Sequence, residues 1–378
     1  MPEPVYFDCN ATTPVDPRVA EEVSRYFLEE YGNSGSRSHE FGLRAKKAVQ
    51  LARKRVGDVV GASAEEVIFT SGATESNNLA LLGLAHHGEV AGRRHIISTR
   101  IEHKAVLEPL EHLQSRGFDV SYAPVGASGA VAPEDIAELL RPDTLAVSIM
   151  QANNETGVIQ PIAEVAAVLG DHSAFLHVDA AQGFGKDIES LRCSRIDLLS
   201  VSGHKLFAPK GVGALIARRR GFARPPLTPL MFGGGQELGL RPGTVPVALV
   251  VGLGLAADLA VREHLDRRKD CLAMRQVVLE VFGNLGAELN GDPRLMLPHV
   301  LNVSVDGIDS EALLVALKPF LAFSNGSACT STSYKPSHVL SGMRLSERRA
   351  SSAVRLSWYH ATPTPDWVGV QAAVRGIR

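Results

Sequence analysis

Cysteine is scarce in this chain, and no stretch of the sequence is long and apolar enough to cross a bilayer. The 378 residues contain only Cys9, Cys193, Cys271 and Cys329, with no Cys-x-x-Cys pair and no zinc-like Cys–His spacing. Neither a disulfide framework nor a metal site is therefore predicted. The opening MPEPVYFDCN lacks the basic and apolar regions of a secretory signal. We expect a cytoplasmic protein with free thiols and no membrane partner.

The chain also lacks a strong excess of either charge. Lysine and arginine number 39 against 41 aspartates and glutamates, for a formal net charge of −2. This balance gives no general attraction to polyanions, so direct binding to nucleic acid is not expected. A hydrophobic content of 45% over this length fits a globular protein with a large core.

Short apolar runs alternate with helix-like segments between residues 65 and 220, which predicts an α/β fold with a mainly parallel sheet covered by helices. The predicted strands are 66–70, 95–99, 118–125, 144–150, 175–180, 197–202 and 211–217. An apolar-periodic segment at 246–284 predicts a long helix, followed by strands at 299–305 and 353–359. We expect a large domain at 16–258 and a smaller one formed by 1–15 and 259–378.

One glycine pattern, GLGLAA at 252–257, matches part of a dinucleotide-binding fingerprint. It lies inside the predicted helix, without a preceding strand or the expected acidic residue. We therefore predict that it does not bind a dinucleotide.

Polar residues follow five of the predicted strands. Ligands of open parallel sheets bind at the carboxyl ends of the strands, so these residues predict the site. The segments concerned are SGATESNN, RIEHK, QANNETG, Asp179 with Gln182, and GHK.

Each of these groups also has an ordinary structural explanation. The Ser71–Thr74 segment could simply begin a helix, and Asp179 could form a structural salt bridge. Lys205 could be an exposed lysine and His103 a structural histidine. Their combination favours pyridoxal phosphate, which needs a lysine for a Schiff base, a carboxylate for its ring nitrogen and a phosphate cradle.

A single cysteine, Cys329, lies in the polar segment SNGSACTSTS, which together with a nearby proline predicts a loop at about 324–336. Small polar residues provide little apolar area to fix such a segment. A mobile loop would let one thiol reach both a buried site and an outside protein.

The sequence resembles the cysteine desulfurases of the NifS/IscS type, in the class V aminotransferase-like branch of fold-type I pyridoxal phosphate enzymes. The resemblance runs nearly end to end, through FDCNATTPVDPRV, YGNSGSRSHEFG, FTSGATESNN, EHKAV, QANNETGVIQPI, HVDAAQ, SGHKLFAPKGVGAL, GGGQE, RPGT, SNGSACTS, PSHVL and VRLS. It implies a fold-type I enzyme that converts L-cysteine to L-alanine and passes the sulfur, through a persulfide on Cys329, to an acceptor protein.

The resemblance also implies roles for individual residues. The catalytic residues would be Cys329, Lys205 and His103, with Lys205 forming the Schiff base, Asp179 on the ring nitrogen, Gln182 on the ring hydroxyl and His103 stacked on the ring. The phosphate would lie on Gly72, Ala73, Thr74, Ser202 and His204, with Thr244 reaching the phosphate of the partner in a homodimer. Substrate would be oriented by Asn33, Asn154 and Arg355, with Asn154 also contacting the cofactor and Arg355 suited to a carboxylate.

Some positions depart from the usual pattern. Cys9-Asn10 replaces Asn-Ala, and Ser34, Ala208 and Pro242 are further replacements. The Cys-Asn variant and the short C-terminal tail are more similar to the DNA-phosphorothioation-linked DndA subgroup than to housekeeping enzymes. The acceptor could also belong to iron–sulfur cluster assembly or tRNA thiolation. Alternative activities are a selenocysteine lyase, a class V aminotransferase and a non-enzymatic sulfur-relay partner.

Overall fold

A seven-stranded sheet organises the larger part of the chain. The computed structural model describes residues 3–325 and 337–377. The strands are β1 (Val5–Tyr6), β2 (Val67–Thr70), β3 (His95–Thr99), β4 (Asp119–Ala123), β5 (Thr144–Met150), β6 (Phe175–Asp179), β7 (Leu198–Ser202), β8 (Gly213–Ala217), β9 (Ala287–Leu289), β10 (Val300–Val305), β11 (Leu321–Ala322) and β12 (Ala353–Ser357).

The helices surround this sheet and continue into the C-terminal part. They are α1 (Pro17–Leu28), α2 (Glu40–Val60), α3 (Ala73–Gly83), α4 (Ala85–Ala91), α5 (Lys104–Ser115), α6 (Pro133–Leu139), α7 (Ile162–Leu169), α8 (Val247–Arg262), α9 (His264–Gly283), α10 (Ser310–Leu317), α11 (His338–Gly342), α12 (Glu347–Ser351) and α13 (Trp367–Gly376). Short 3₁₀ turns occur at Ala64–Glu66, Glu189–Arg192, Gly203–Lys205 and Glu237–Gly239.

The large sheet has the strand order β2-β8-β7-β6-β5-β3-β4, and all its pairings are parallel except those of β8 with β2 and β7. Neighbouring side chains alternate between two cores. Ile68 joins the cluster beneath α3 and α5, whereas Phe69 joins the cluster beneath α1, α2 and α8. Both faces are therefore covered, as the continuous apolar strands predicted. The expected α/β fold is confirmed.

The C-terminal part contains a second, antiparallel sheet in the order β12-β10-β9. Its apolar cluster includes Phe282 from α9, Val370 from α13 and Trp358, and Phe7 from near the N-terminus packs into it. The proposed division into 16–258 and the two flanking segments stays a prediction.

The predicted helix at 246–284 is wrong in one respect, because the structure breaks it into α8 and α9 at Glu263. This residue has φ −107° and ψ 10°, and its carboxylate accepts hydrogen bonds from Arg18 and Arg267. The two arginines thus bind the Glu263 carboxylate at the residue where the backbone departs from helical dihedral angles.

The glycines of the GLGLAA pattern lie within α8, as predicted. A Cβ atom at Gly252 would lie 2.6 Å from Val23 of α1, and one at Gly254 would lie 2.5 Å from Ala52 of α2. The glycines therefore permit close helix packing. Within the described part of the chain, no helix combines the length and the apolarity needed to span a bilayer.

Candidate active site

A cavity of about 500 Å³ lies where the carboxyl ends of five strands meet. The segments after β2, β3, β5, β6 and β7 contribute its polar lining, because these strands all point in the same direction. The predicted site residues in the lining are Gly72, Ala73, Thr74, His103, Asn154, Asp179, Gln182, Ser202, His204 and Lys205. The structure thus brings together residues that lie far apart in the sequence. Gly72 and Lys205, for example, are 133 positions apart.

Asp179 is the last residue of β6 and is buried at 6% exposure. Its Oδ2 accepts a 2.7 Å hydrogen bond from Asn77 Nδ2, and its Oδ1 accepts one of 2.9 Å from the Ala181 amide. None of the salt bridges between described residues includes Asp179. The alternative of a structural ion pair is therefore not supported, and the carboxylate faces the cavity with amide donors behind it.

Lys205 ends the 3₁₀ turn that follows β7. Its Nζ donates to the backbone oxygen of Asn10, which also accepts a 3.0 Å hydrogen bond from Gln182 Nε2. Asn10 therefore links the lysine to the glutamine. The lysine lines the cavity and is not a surface lysine pointing into solvent.

The residues after β2 form a small concave surface at the start of α3. A Cβ atom added at Gly72 would meet no other atom within 4 Å, so this glycine opens directly onto space. By contrast, a Cβ at Gly213 would lie only 2.5 Å from the Cα of Gly72. Because neither glycine has a side chain, β8 can pack against this turn. The backbone amides at the start of α3 are suited to binding an anion.

His103 caps α5 through its ring, since Nδ1 accepts a 3.1 Å hydrogen bond from the Ala105 amide. The neutral ring then carries its proton on Nε2. The ring is exposed at the cavity mouth, yet the surrounding protein lowers the pKa of His103, chiefly by desolvation; nearby Asp179 opposes this shift. The lowered pKa favours a neutral imidazole near neutral pH.

His204 lies beside Lys205 and donates to or accepts from Thr12 Oγ1 across 3.1 Å. Desolvation, with a further contribution from Lys205, lowers the pKa of His204 to about 4. This imidazole is therefore neutral near neutral pH. It can give a hydrogen bond to an anion, but it does not supply a positive charge.

Two amide oxygens on the cavity wall are buried without hydrogen-bond partners among the described residues. They belong to Gln182 and Asn154, whereas the Gln182 nitrogen is taken by Asn10. Unpaired buried acceptors are costly, so they indicate a wall made for a ligand with N–H or O–H groups.

Arg355 lies in β12 next to the cavity wall. It is buried, and its Nη1 donates a 3.1 Å hydrogen bond to the backbone oxygen of Asn154. Its strongest partner is Asp8, at 2.6 Å from Nη2. The predicted carboxylate clamp therefore holds a carboxylate of the chain itself.

Besides Arg355, two predicted residues do not line the cavity of this single chain. Thr244 is exposed ahead of α8, and Asn33 is exposed with its side chain accepting from the Gly35 amide. Their roles stay predictions. Cys329 lies in residues 326–336, outside the described residues, so its role also stays a prediction.

Three contributors were missed by reasoning from the sequence. Asn77 and Asn10 support Asp179 and Lys205, and Asn77 stands in the quoted motif SGATESNN. Glu102, next to His103, is fully buried; desolvation raises its pKa to about 8, and its Oε2 has no partner in the described chain.

The described residues hold no cluster of three acidic, cysteine or histidine side chains able to bind a metal ion.

Comparison with known proteins agrees with this geometry. The class-V aminotransferase family profile matches residues 5–366. The cysteine desulfurase IscS of Anaeromyxobacter dehalogenans is 44% identical over 362 residues, covering 94% of this chain and 87% of that protein.

Two solved structures are also similar. DndA from Streptomyces lividans is 51% identical with a TM-score of 0.83, over 94% of this chain and 98% of that one. SspA in complex with cysteine is 37% identical with a TM-score of 0.82, over 93% of this chain and 98% of that one. The chain belongs to the class-V aminotransferase family, among its cysteine desulfurases.

Proposed function

We propose that the protein acts on L-cysteine with pyridoxal phosphate bound in the cavity, releases L-alanine and retains the sulfur as a persulfide on Cys329. The observation that carries this proposal is the convergence of Lys205, Asp179, Gln182 and His103 on one cavity beside the Gly72 turn. The chain's similarity to SspA, solved with cysteine, supports the choice of substrate.

The lining fits pyridoxal phosphate by the chemistry of its donors and acceptors. Asp179 would pair with the ring nitrogen, and the unpaired oxygen of Gln182 would accept from the ring hydroxyl. Gly72, Ala73, Thr74, Ser202 and His204 would hold the phosphate. When bound, the cofactor supplies a sink for the electrons released at the substrate Cα.

We assign the transfer of the Cα proton to Lys205. Its Nζ lies within hydrogen-bond reach of the Asn10 carbonyl, which holds the amine at the cavity wall. His103 has a neutral ring with one N–H at the cavity mouth, as its cap to Ala105 dictates. We assign it proton exchange with the substrate thiol, in which the ring acts through Nε2.

The sulfur transfer itself falls to Cys329. Its thiolate sulfur forms a bond to the substrate sulfur while the substrate Cβ–S bond breaks. The electron pair of the broken bond stays on Cβ, which takes up a proton to become the alanine methyl group. The overall change is cysteine plus enzyme thiol to alanine plus enzyme persulfide, with no outside oxidant.

A homodimer is part of the proposal. Thr244 and Asn33 stand away from the cavity of their own chain, and large exposed apolar side chains precede both in the sequence. Phe232 is 89% exposed and Tyr31 is 69% exposed. A second copy would cover such side chains and could place Thr244 at the partner's phosphate site.

The acceptor is proposed to be a protein of the DNA-phosphorothioation type. The resemblance to the DndA subgroup supports this choice, as does the 51% identity to DndA from Streptomyces lividans. Scaffolds for iron–sulfur clusters and tRNA-thiolation proteins are the other candidates.

The test compares alanine and sulfide release from L-cysteine, with an added dithiol to reduce the persulfide, by the wild type, Cys329→Ser and Cys193→Ser. Cys193 is a matched control, because it is a free thiol that does not line the cavity. We expect Cys329→Ser to keep the absorbance of the bound cofactor and to lose sulfide release, while Cys193→Ser behaves as the wild type. Full desulfuration by Cys329→Ser would contradict the proposal.

A further inference from the structure

The guanidinium group of Arg355 is already engaged by the chain. Its Nη2 donates to Asp8 Oδ1 at 2.6 Å and to Ser324 Oγ at 3.2 Å, and its Nη1 donates to the Asn154 carbonyl at 3.1 Å. Arg355 is 5% exposed in its side chain and Asp8 is 21% exposed. Asp8 belongs to the FDCN motif but has no role of its own in the proposed reaction.

The nitrogen that Asp8 occupies matters for binding a second carboxylate. A guanidinium offers a carboxylate two forks, one formed by Nη1 with Nη2 and one formed by Nε with Nη2. Both forks include Nη2, whose two N–H groups point to Asp8 and Ser324. Nε is buried without a partner among the described residues. A bidentate substrate carboxylate therefore requires one partner of Nη2 to leave.

We propose that Asp8 sets the affinity for the substrate carboxylate, as an internal carboxylate that competes with it for Arg355. This inference rests on the proposed function, in which Arg355 binds the carboxylate of L-cysteine. If Asp8 leaves, its ionic contact is lost; if Ser324 leaves, two carboxylates share one nitrogen. In both cases the negative charge of Asp8 opposes the substrate carboxylate.

The competition acts only on molecules that bring a carboxylate to Arg355. Such a molecule must displace or share the internal carboxylate, whereas simple thiol amines gain nothing at Arg355 with or without Asp8. Asp8 also balances the buried arginine charge before substrate arrives, which limits the cost of an unpaired guanidinium. Asp8 thus weakens substrate binding while it stabilises the empty clamp.

The test measures dissociation constants with the cofactor-loaded protein in a Cys329→Ser background, from the change in cofactor absorbance on titration. L-cysteine and cysteamine, its analogue without a carboxylate, are compared in the parent, Asp8→Asn and Asp8→Glu proteins. Removing the charge should tighten L-cysteine binding by up to about fivefold, since a partly exposed ion pair contributes up to about 1 kcal/mol. Cysteamine binding should stay unchanged, and Asp8→Glu, which keeps the charge, should not tighten L-cysteine binding.

Unchanged or weaker L-cysteine binding in a folded Asp8→Asn protein would overturn the inference, as would equal tightening of cysteamine. If Asp8→Asn fails to bind cofactor, Asp8→Ser serves in its place, because it removes the same charge with a smaller side chain. Arg355→Gln separates this inference from the proposed function. If that variant binds L-cysteine as tightly as the parent, the assigned clamp itself is wrong; if it binds weakly while Asp8→Asn shows no tightening, only the competition is wrong.

Discussion

The side-chain amide of Asn77 donates a 2.7 Å hydrogen bond to Oδ2 of Asp179. Asn77 is fully buried in α3, and Asp179 ends β6, so the contact joins a helix to the sheet beneath the cavity. The contact orients the carboxylate, which lines the cavity. A carboxylate in this position would pair with the ring nitrogen of the proposed cofactor.

Replacing Asn77 by alanine should weaken cofactor binding. The change removes one of the two donors found on the Asp179 carboxylate, and a hydrogen bond to a charged group contributes about 1.5–3 kcal/mol. We expect the dissociation constant for pyridoxal phosphate to rise by about ten- to a hundredfold. Absorbance titration of cofactor-free protein measures it.

Asn78→Ala is the matched control for that experiment. Asn78 is the next residue, and its side chain donates to the carbonyl of Thr74 rather than to Asp179. Equal weakening in both variants would show that the effect reflects damage to α3. No weakening in Asn77→Ala would contradict the assigned support of Asp179.

A buried ion pair should contribute strongly to stability. Glu237 accepts hydrogen bonds from both terminal nitrogens of Arg53, at 2.7 and 2.6 Å, and from the Phe69 amide at 2.8 Å. Glu237→Ala leaves a buried cation without its carboxylate and the Phe69 amide without its acceptor, which should lower the free energy of unfolding by about 3–5 kcal/mol. Urea denaturation at fixed protein concentration measures the change.

Glu189→Ala is the control for the ion pair. Glu189 pairs with Arg192 at 3.0 Å but is 80% exposed, so its loss should cost about 1 kcal/mol or less. A Glu237→Ala protein as stable as Glu189→Ala would show that the buried pair contributes little.

Histidine burial should make stability depend on pH. His177 is held in the sheet between Ser148 and Ser200, and desolvation lowers its pKa to about 4. The unfolded chain has a pKa of about 6.5 at this residue and so takes up its proton first as the pH falls. The contribution of the neutral ring is complete above pH 6.5 and is lost progressively as the pH falls towards 4.

His177→Gln should therefore flatten the dependence of stability on pH in that window. The slope should decrease by up to about 1.4 kcal/mol per pH unit, because one proton fewer is taken up on unfolding. Denaturation at several pH values gives the slope, and the exposed His112 supplies a control variant, His112→Gln. An unchanged slope in His177→Gln would contradict the prediction.

The sequence correctly predicts the cavity residues that come directly after strands. Asp179 and Lys205 come directly after apolar strands, and parallel strands place such residues at one edge of the sheet. The pattern also identifies GLGLAA as helical, since no strand precedes it. These features depend on the order of neighbouring residues along the chain, which can be read from a single sequence.

Other features depend on contacts that the sequence does not encode locally. Asn77 and Asp179 are 102 positions apart, and Asp8 and Arg355 are 347 apart. Neither pair has a spacing that signals contact. The break at Glu263 is similar, because apolar periodicity continues through it while ionic contacts with Arg18 and Arg267 hold its side chain.

The basic run Arg218–Arg220 is another feature that local sequence does not explain. Its charge alone predicts a solvated strand end, but Arg218 is buried and donates to the carbonyls of Val60 and Leu191. A side chain long enough to reach unpaired carbonyls can be buried with its charge. Its role becomes visible only once the neighbouring loops are placed.

The central claim is that sulfur from L-cysteine becomes bonded to Cys329. The most direct measurement is peptide mass spectrometry after a single turnover of cofactor-loaded wild-type protein without reductant, followed by alkylation. We predict one added sulfur atom on the peptide containing Cys329, with alanine formed in equal amount, and none on Cys9, Cys193 or Cys271. Alanine formed in full while Cys329 carries no added sulfur would contradict the account.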